Sequence, residues 1–183
     1  MKLPASFEGR ERARLFCALR LPEATLDALW EWQTGHIRGG RAVPREHLHL
    51  TLAFLGHRPV TELGGIVGAL RDAAAAADPI RLVSERYRET RSVGMLVLTD
   101  LAGAATSLAD DLFGRLERLG VYEREQRPWL PHVTVLRFRE RPRLQPPVPD
   151  LGEVSPSDAA VYHSVLRSTG AQYVVVDSFA LGG

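Results

Sequence analysis

An α+β fold of two similar lobes around one shared cleft is what the 183-residue sequence predicts, and two observations predict it. Each half carries a strand-like apolar segment followed by a helix-like one. Each half also carries one copy of a short pattern, His-apolar-Thr-apolar, on a strand-like segment. Composition agrees, since 45% hydrophobic and 25% charged residues describe an ordinary globular chain. A chain of this size can bury roughly 70% of the surface its unfolded form exposes. Residues 1–183 are therefore expected to form one bilobal domain, with sequence halves of about 1–90 and 91–183.

The elements follow in order. Leu15 to Leu19 reads as a first strand. Pro22 stands where a helix begins, and Leu26, Leu29 and Trp30 then share one helical face. From His47 to Leu55 the chain alternates, with Leu48, Leu50, Leu52 and Phe54 on one face and His47, His49, Thr51 and Ala53 on the other. That is a strand with an apolar back, and parity puts Phe54 with the core leucines. Pro59 and Thr61 open a second helix through Leu63, Val67 and Leu70, which Asp78-Pro79 ends. A strand from Ile80 to about Arg88 follows. Met95 to Thr99 restarts the pattern, and Leu108, Leu112, Leu116 and Leu119 mark a third helix closed by Gly120. His132 to Phe138 reads as a strand. Pro142 to Pro156 is a proline-rich surface connection, and Ala159 to Leu166 with Tyr173 to Val176 form a hairpin around Ser168-Thr169-Gly170.

Several function classes are excluded. No run approaches the ~18 apolar residues of a membrane span. The N-terminal stretch lacks a continuous apolar region, so a cytoplasmic address and no membrane partner are expected. Cys17 is the single cysteine, which excludes an intrachain disulfide and a cysteine-based zinc site, and it reads as a small core residue. A net charge of +1 does not fit a strongly basic nucleic-acid coat. The basic residues are arginines apart from Lys2, and six of them fall between Arg124 and Arg143, against Glu123, Glu125 and Glu140. Guanidinium forks bind phosphate in bidentate fashion, so this cluster suits a phosphorylated ligand as well as a solvated face.

The chemistry lies in the repeat. His49-Leu50-Thr51-Leu52 recurs 83 residues later as His132-Val133-Thr134-Val135. On a strand, His and Thr two apart share a face while the apolar residues between and after them anchor the core. Two such strands side by side would bring two imidazoles and two hydroxyls to a common point. Metal-free phosphodiester hydrolysis needs such a set: a base for water, an acid for the departing oxygen and neutral donors for the non-bridging oxygens. An imidazole pKa near ~6.5 lets one ring be neutral and the other charged, and each proton transfer is worth ~10²–10⁴ in rate. A strained 2′,3′-cyclic phosphate is the diester reactive enough to need no metal pair.

The stretches Arg14-Leu-Phe-Cys-Ala-Leu-Arg-Leu-Pro22, His47-Leu-His-Leu-Thr-Leu-Ala-Phe-Leu-Gly56 and Arg127-Pro-Trp-Leu-Pro-His-Val-Thr-Val-Leu-Arg137 resemble the RNA 2′,3′-cyclic phosphodiesterase family. This family is also called the bacterial and archaeal 2′-5′ RNA ligase family, within the two-histidine (2H) phosphoesterases. The resemblance covers nearly the whole chain. It implies a bilobal 2H phosphoesterase fold, with pseudo-symmetric lobes that each have an antiparallel sheet and outer helices, and no metal or other cofactor. It implies hydrolysis of RNA or nucleotide cyclic phosphate ends to 2′-phosphates, with reversible 2′-5′ joining of RNA, possible substrates including tRNA fragments. His49 and His132 match the family histidines, Thr51 and Thr134 the threonines. His49 is assigned as acid to the leaving O3′ and His132 as base for water. Arg137 matches a phosphate-contacting arginine, yet it lies five residues from His132 and so on the opposite face of a regular strand; a bulge, a strand end or its own length must bring it round. Phe54 is similar to a base-stacking aromatic. Trp129-Leu130 stands where the family commonly has His or Phe, which bears on stacking at the cleft rim. A monomer is expected.

Two other classes stand beside this one. A metal-dependent hydrolase would use His47 and His49 on one strand face, with Glu46 as the nearest acid. A non-catalytic RNA-binding module would use the arginine cluster and Trp129. It leaves the repeated His-Thr pairs unexplained. Within the family, ADP-ribose cyclic phosphate or oligoadenylates are further possible substrates.

Overall fold

The computed structural model describes residues 7, 9–167 and 170–182. It contains eight strands and three α-helices among them. β1 (Arg12–Leu19) is buried without interruption from Leu15 to Leu19, as a strand covered on both faces must be. α1 (Glu23–His36) begins directly after Pro22 and buries Leu29, Trp32 and Gln33. A two-residue strand, β2 (Arg41–Ala42), follows, then a 3-10 turn at Arg45–His47 behind Pro44, and β3 (Leu50–Pro59). After a second 3-10 turn at Val60–Glu62, α2 (Leu63–Ala75) leads to β4 (Leu82–Glu89) and β5 (Val93–Asp100). α3 (Ala104–Arg118) carries Leu108, Leu112 and Leu116 into the core; β6 (His132–Arg137), β7 (Asp158–Arg167) and β8 (Gly170–Ala180) complete the chain.

The strands form one antiparallel sheet in the order β4-β5-β6-β3-β1-β7-β8, with β2 added on β6. Its two groups, β4-β5-β6 and β3-β1-β7-β8, meet at the single residue pair Leu50↔Val133. These are the two lobes. Strand pairing crosses the middle of the chain: β4 pairs with β5, while β7 and β8 return to cover β1. α2 packs against β7, β8 and α3 and closes the core on that side.

Several readings change, and on α1 Trp30 is exposed while Trp32 is the tryptophan that packs inward. The strand expected from His47 starts at Leu50, because Pro44 and the 3-10 turn after it take Arg45–His47 out of extended geometry. His47 and His49 therefore do not share a strand face. β2 was not foreseen, being shorter than any periodicity. Phe54 leaves the core and is 51% exposed. Along β1 and β3, Cys17 faces Ala53 and Ala18 faces Thr51, so Leu52 is an extra residue and alternation restarts after it. A β-bulge of this kind re-aims every side chain beyond it. Of the expected hairpin turn, Ser168 and Thr169 lie outside the described residues.

The proline-rich connection is tied down by one carboxylate. Glu89, buried at the end of β4, accepts hydrogen bonds from the backbone of Leu144 (2.8 Å) and Arg143 (3.0 Å) and from Arg141 Nε (3.1 Å). Burial pushes its pKa up, but these donors outweigh that and hold it below the usual carboxylate range.

Candidate active site

The residue pair that joins the lobes is the one between each histidine and its threonine. Leu50 follows His49 and precedes Thr51; Val133 follows His132 and precedes Thr134. In antiparallel register about that pair, Thr51 comes opposite His132 and His49 opposite Thr134. Continued by one residue each way, that register would make the two histidines diagonal neighbours on one face, and the charge of His132 does act on His49. Buried Leu50 and Val133 anchor both motifs from the opposite face.

The rings are held alike. His49 Nδ1 lies 2.7 Å from the carbonyl of His47, and His132 Nδ1 lies 2.8 Å from the carbonyl of Leu130. A carbonyl only accepts, so Nδ1–H is the donor in each, and each neutral ring presents an unprotonated Nε2. For His49 that nitrogen accepts the Thr51 hydroxyl at 3.0 Å. Phe16, Tyr173 and Tyr162 surround the His49 ring at centroid distances of 4.9, 5.5 and 6.1 Å. Burial among them lowers its pKa to about 4; the bond to the His47 carbonyl opposes this, and the charges of Arg137, His132 and His47 add to it.

Each motif is followed by the same irregularity. On β6, Gly94 of β5 faces Leu136 and Met95 faces Thr134, so Val135 is the extra residue. Val135 and Leu136 are both buried, as are Leu52 and Ala53 on β3. Arg137 thereby returns to the face of His132 and Thr134, as Phe54 returns to that of His49 and Thr51. Of the three routes by which Arg137 could come round, the bulge is present, and Phe54 and Arg137 occupy equivalent places, five residues after their histidines. Both bulges have a side-chain support. The Gln33 amide, buried on α1, donates to the carbonyls of Val135 (2.5 Å) and Val43 (2.9 Å). The Trp129 indole N–H donates to the carbonyl of Thr51 at 3.1 Å. Trp129 packs half-buried against the core, so its indole serves the backbone of β3.

A cavity of about 870 Å³ opens beside these strands. His49, Thr51, Phe54 and Arg137 line it together with Arg14, Phe16, Arg41, Tyr173 and the start of β8; His132, Thr134 and Trp129 lie outside its lining. The Arg14 guanidinium sits over the Phe54 ring, 4.9 Å from its centroid. Arg14 and Phe16 are two apart on β1, which starts three residues before the strand expected from Leu15; Arg41 lies on β2, for which the sequence showed no strand. The sequence cluster from Arg124 to Arg143 does not form one patch. Arg124, Arg127 and Arg141 pair with Asp110, Glu125 and Glu89, and Arg137 is the member that reaches the cavity.

Among the described residues no three His, Cys, Asp or Glu side chains gather where they could hold a metal ion. His47 contributes its carbonyl to His49 and its ring to a contact with Tyr173, at 4.6 Å. Cys17 is fully buried in β1, and burial raises its thiol to about 12. No helix among the described residues is long and apolar enough to cross a membrane.

Residues 25–171 match a family model described as the 2′-5′ RNA ligase superfamily. A Thermus thermophilus protein named RNA 2′,3′-cyclic phosphodiesterase is 32% identical, over 93% of this chain and 91% of its own length. An Escherichia coli protein of the same name is 26% identical, over 93% and 98%. Among solved structures, the crystal structure of Thermus thermophilus TT0787 is similar with a TM-score of 0.80 at 31% identity, covering 93% of this chain and 98% of that one. Escherichia coli LigT complexed with NADP+ has a TM-score of 0.80 at 26% identity, covering 95% and 100%.

Proposed function

The chain belongs to the 2′-5′ RNA ligase superfamily, and on that premise we propose that it hydrolyses 2′,3′-cyclic phosphate ends of RNA or nucleotides to 2′-phosphates, using two histidines and no metal. The observation that carries this reading is the juncture of the two His-x-Thr motifs at Leu50↔Val133, with each imidazole locked by a carbonyl two residues before it. The names of the curated relatives support the substrate class.

In the reaction, water attacks phosphorus, the P–O3′ bond breaks, and the phosphate stays on O2′. His132 takes the proton of water and His49 gives one to O3′, and the rings exchange roles in the reverse direction. An RNA 5′-hydroxyl in place of water leads by the same step to a 2′-5′ linkage. The hydroxyls of Thr51 and Thr134 and the guanidinium of Arg137 stabilise the charge that builds on the non-bridging oxygens. Burial keeps His49 neutral in the free protein, so its donor role draws on the substrate itself: a phosphate anion within hydrogen-bond reach of Nε2 favours the charged ring and offsets Arg137. Phe54, half-exposed on the cavity with Arg14 over its ring, offers a surface for a base.

The test is product analysis on an oligonucleotide ending in a 2′,3′-cyclic phosphate, with and without EDTA. A 2′-phosphate product is expected in both, and His49→Ala and His132→Ala should each lower kcat by ~10²–10⁴. Loss of turnover in EDTA, or a 3′-phosphate product, would overturn the reading.

A further inference from the structure

Arg41 stands directly across the β2–β6 ladder from Arg137. Partners across an antiparallel ladder point to the same face, and like charges there destabilise the pair. The pairing is nonetheless built in closely: a Cβ on Gly40 would lie 2.5 Å from the Arg137 carbonyl, so only glycine lets β2 approach β6 at this point. Both guanidiniums line the 870 Å³ cavity, and Arg14 is a third. Among the described residues none of the three has a carboxylate at ion-pair distance, whereas Arg20, Arg45, Arg58, Arg81 and Arg115 each have at least one. The single acid in the lining, Glu46, is exposed and pairs with none of them.

The Arg41 side chain reaches toward the start of β8. Its Nη1 lies 2.8 Å from where a Cβ on Gly170, at the start of β8, would stand. One phosphate at the histidines engages Arg137 and leaves Arg41, and Arg14 over the Phe54 ring, without a carboxylate in a space large enough for a nucleotide-sized ligand. Two cations held in a cleft without a counter-charge are a site for an anion, and the guanidinium fork matches phosphate oxygens.

We propose that Arg41, with Arg14, forms a second phosphate subsite beside Arg137, and that the preferred substrate carries a further phosphate besides the cyclic one. This rests on reading the cavity as the cyclic phosphate site. The second phosphate comes either from the adjoining phosphodiester of an RNA strand or from the 5′-phosphate of a nucleotide.

The experiment is calorimetric titration of the protein with three product-like probes: adenosine 2′-monophosphate, adenosine 2′,5′-bisphosphate, and a diadenosine phosphodiester bearing a terminal 2′-phosphate. At least one of the two-phosphate probes should bind about tenfold or more tightly than the monophosphate, the worth of one charge-assisted contact, and the probe that does so identifies the source. In Arg41→Ala the ratio should fall toward one. Equal affinities for all three probes in the wild-type protein, or a ratio unchanged in Arg41→Ala, would overturn the subsite. Should Arg41→Ala not fold, the wild-type ratio and the Arg41→Gln variant decide. The readout is separate from turnover. Preserved ratios without hydrolysis of any cyclic phosphate leave the subsite standing and remove the proposed activity; hydrolysis with equal affinities does the reverse.

Discussion

At the scale of single residues, His49 sets the pH behaviour. Its pKa is lowered to about 4, first by burial among Phe16, Tyr162 and Tyr173. His49 is the assigned acid, and in the free protein it carries its proton only as pH falls through about 4, so kcat/KM is expected to break near pH 4 rather than near ~6.5, where an unperturbed histidine titrates. Stability follows the same group. Between about 4 and ~6.5 the unfolded chain binds a proton that folded His49 does not, so stability falls as pH drops through that window. Chemical denaturation of wild type and His49→Gln across this range should show the steeper decline in wild type. Assignment of acid and base needs a different measurement, because both assignments give the same bell-shaped profile. With a nitrophenolate leaving group, which departs without a proton, His49→Ala should lose much less of its rate than His132→Ala; the opposite order would exchange the roles. The two histidines were legible from their repeated context, and Cys17 from the apolar run around it. Phe54 was misplaced by parity because a bulge adds a residue without any mark in composition.

At the scale of elements, β3 and β6 share one design: a histidine and a threonine on one face, then an extra residue that turns the fifth position back toward the cleft. The two supports differ. Gln33 on α1 holds the carbonyl of Val135, and Trp129, on the approach to β6, holds that of Thr51. Each donor meets a backbone oxygen at or beside a bulge; the Val135 carbonyl accepts the Val43 N–H (2.9 Å) as well. Trp129→Phe keeps the ring and removes the donor, and should cost about 0.5–1.5 kcal/mol of stability by denaturant titration. Gln33→Leu leaves Val135 with one donor fewer and should raise KM through Arg137 more than it lowers kcat; a fall in kcat alone would show that Arg137 keeps its aim. Neither support could be read beforehand. Gln33 looks like any polar residue on a helix, and Trp129 lies 78 residues from the carbonyl it serves.

At the scale of the whole molecule, the fold is stitched from both ends of the chain. β1 lies between β3 and β7, and β4 from the first half completes the lobe of the second. Residues 1–90 expressed alone would lack β7 over β1 and β5 beside β4, leaving apolar strands with open edges. That fragment is expected to show no cooperative thermal transition, while the full chain unfolds in one. A folded fragment would mean that the halves are independent units. What the sequence by itself determined was the inventory: nearly every strand and helix, through apolar periods of 2 and 3.6, and the pair of His-x-Thr motifs, through recurrence. These are properties of neighbours along the chain. What only the tertiary structure decided was which strands lie side by side, where the ladder slips by one residue, and which arginines find a carboxylate. Those outcomes depend on contacts between residues distant in sequence, and the cleft lined by Arg14, Arg41 and Arg137 comes into being only when such contacts form.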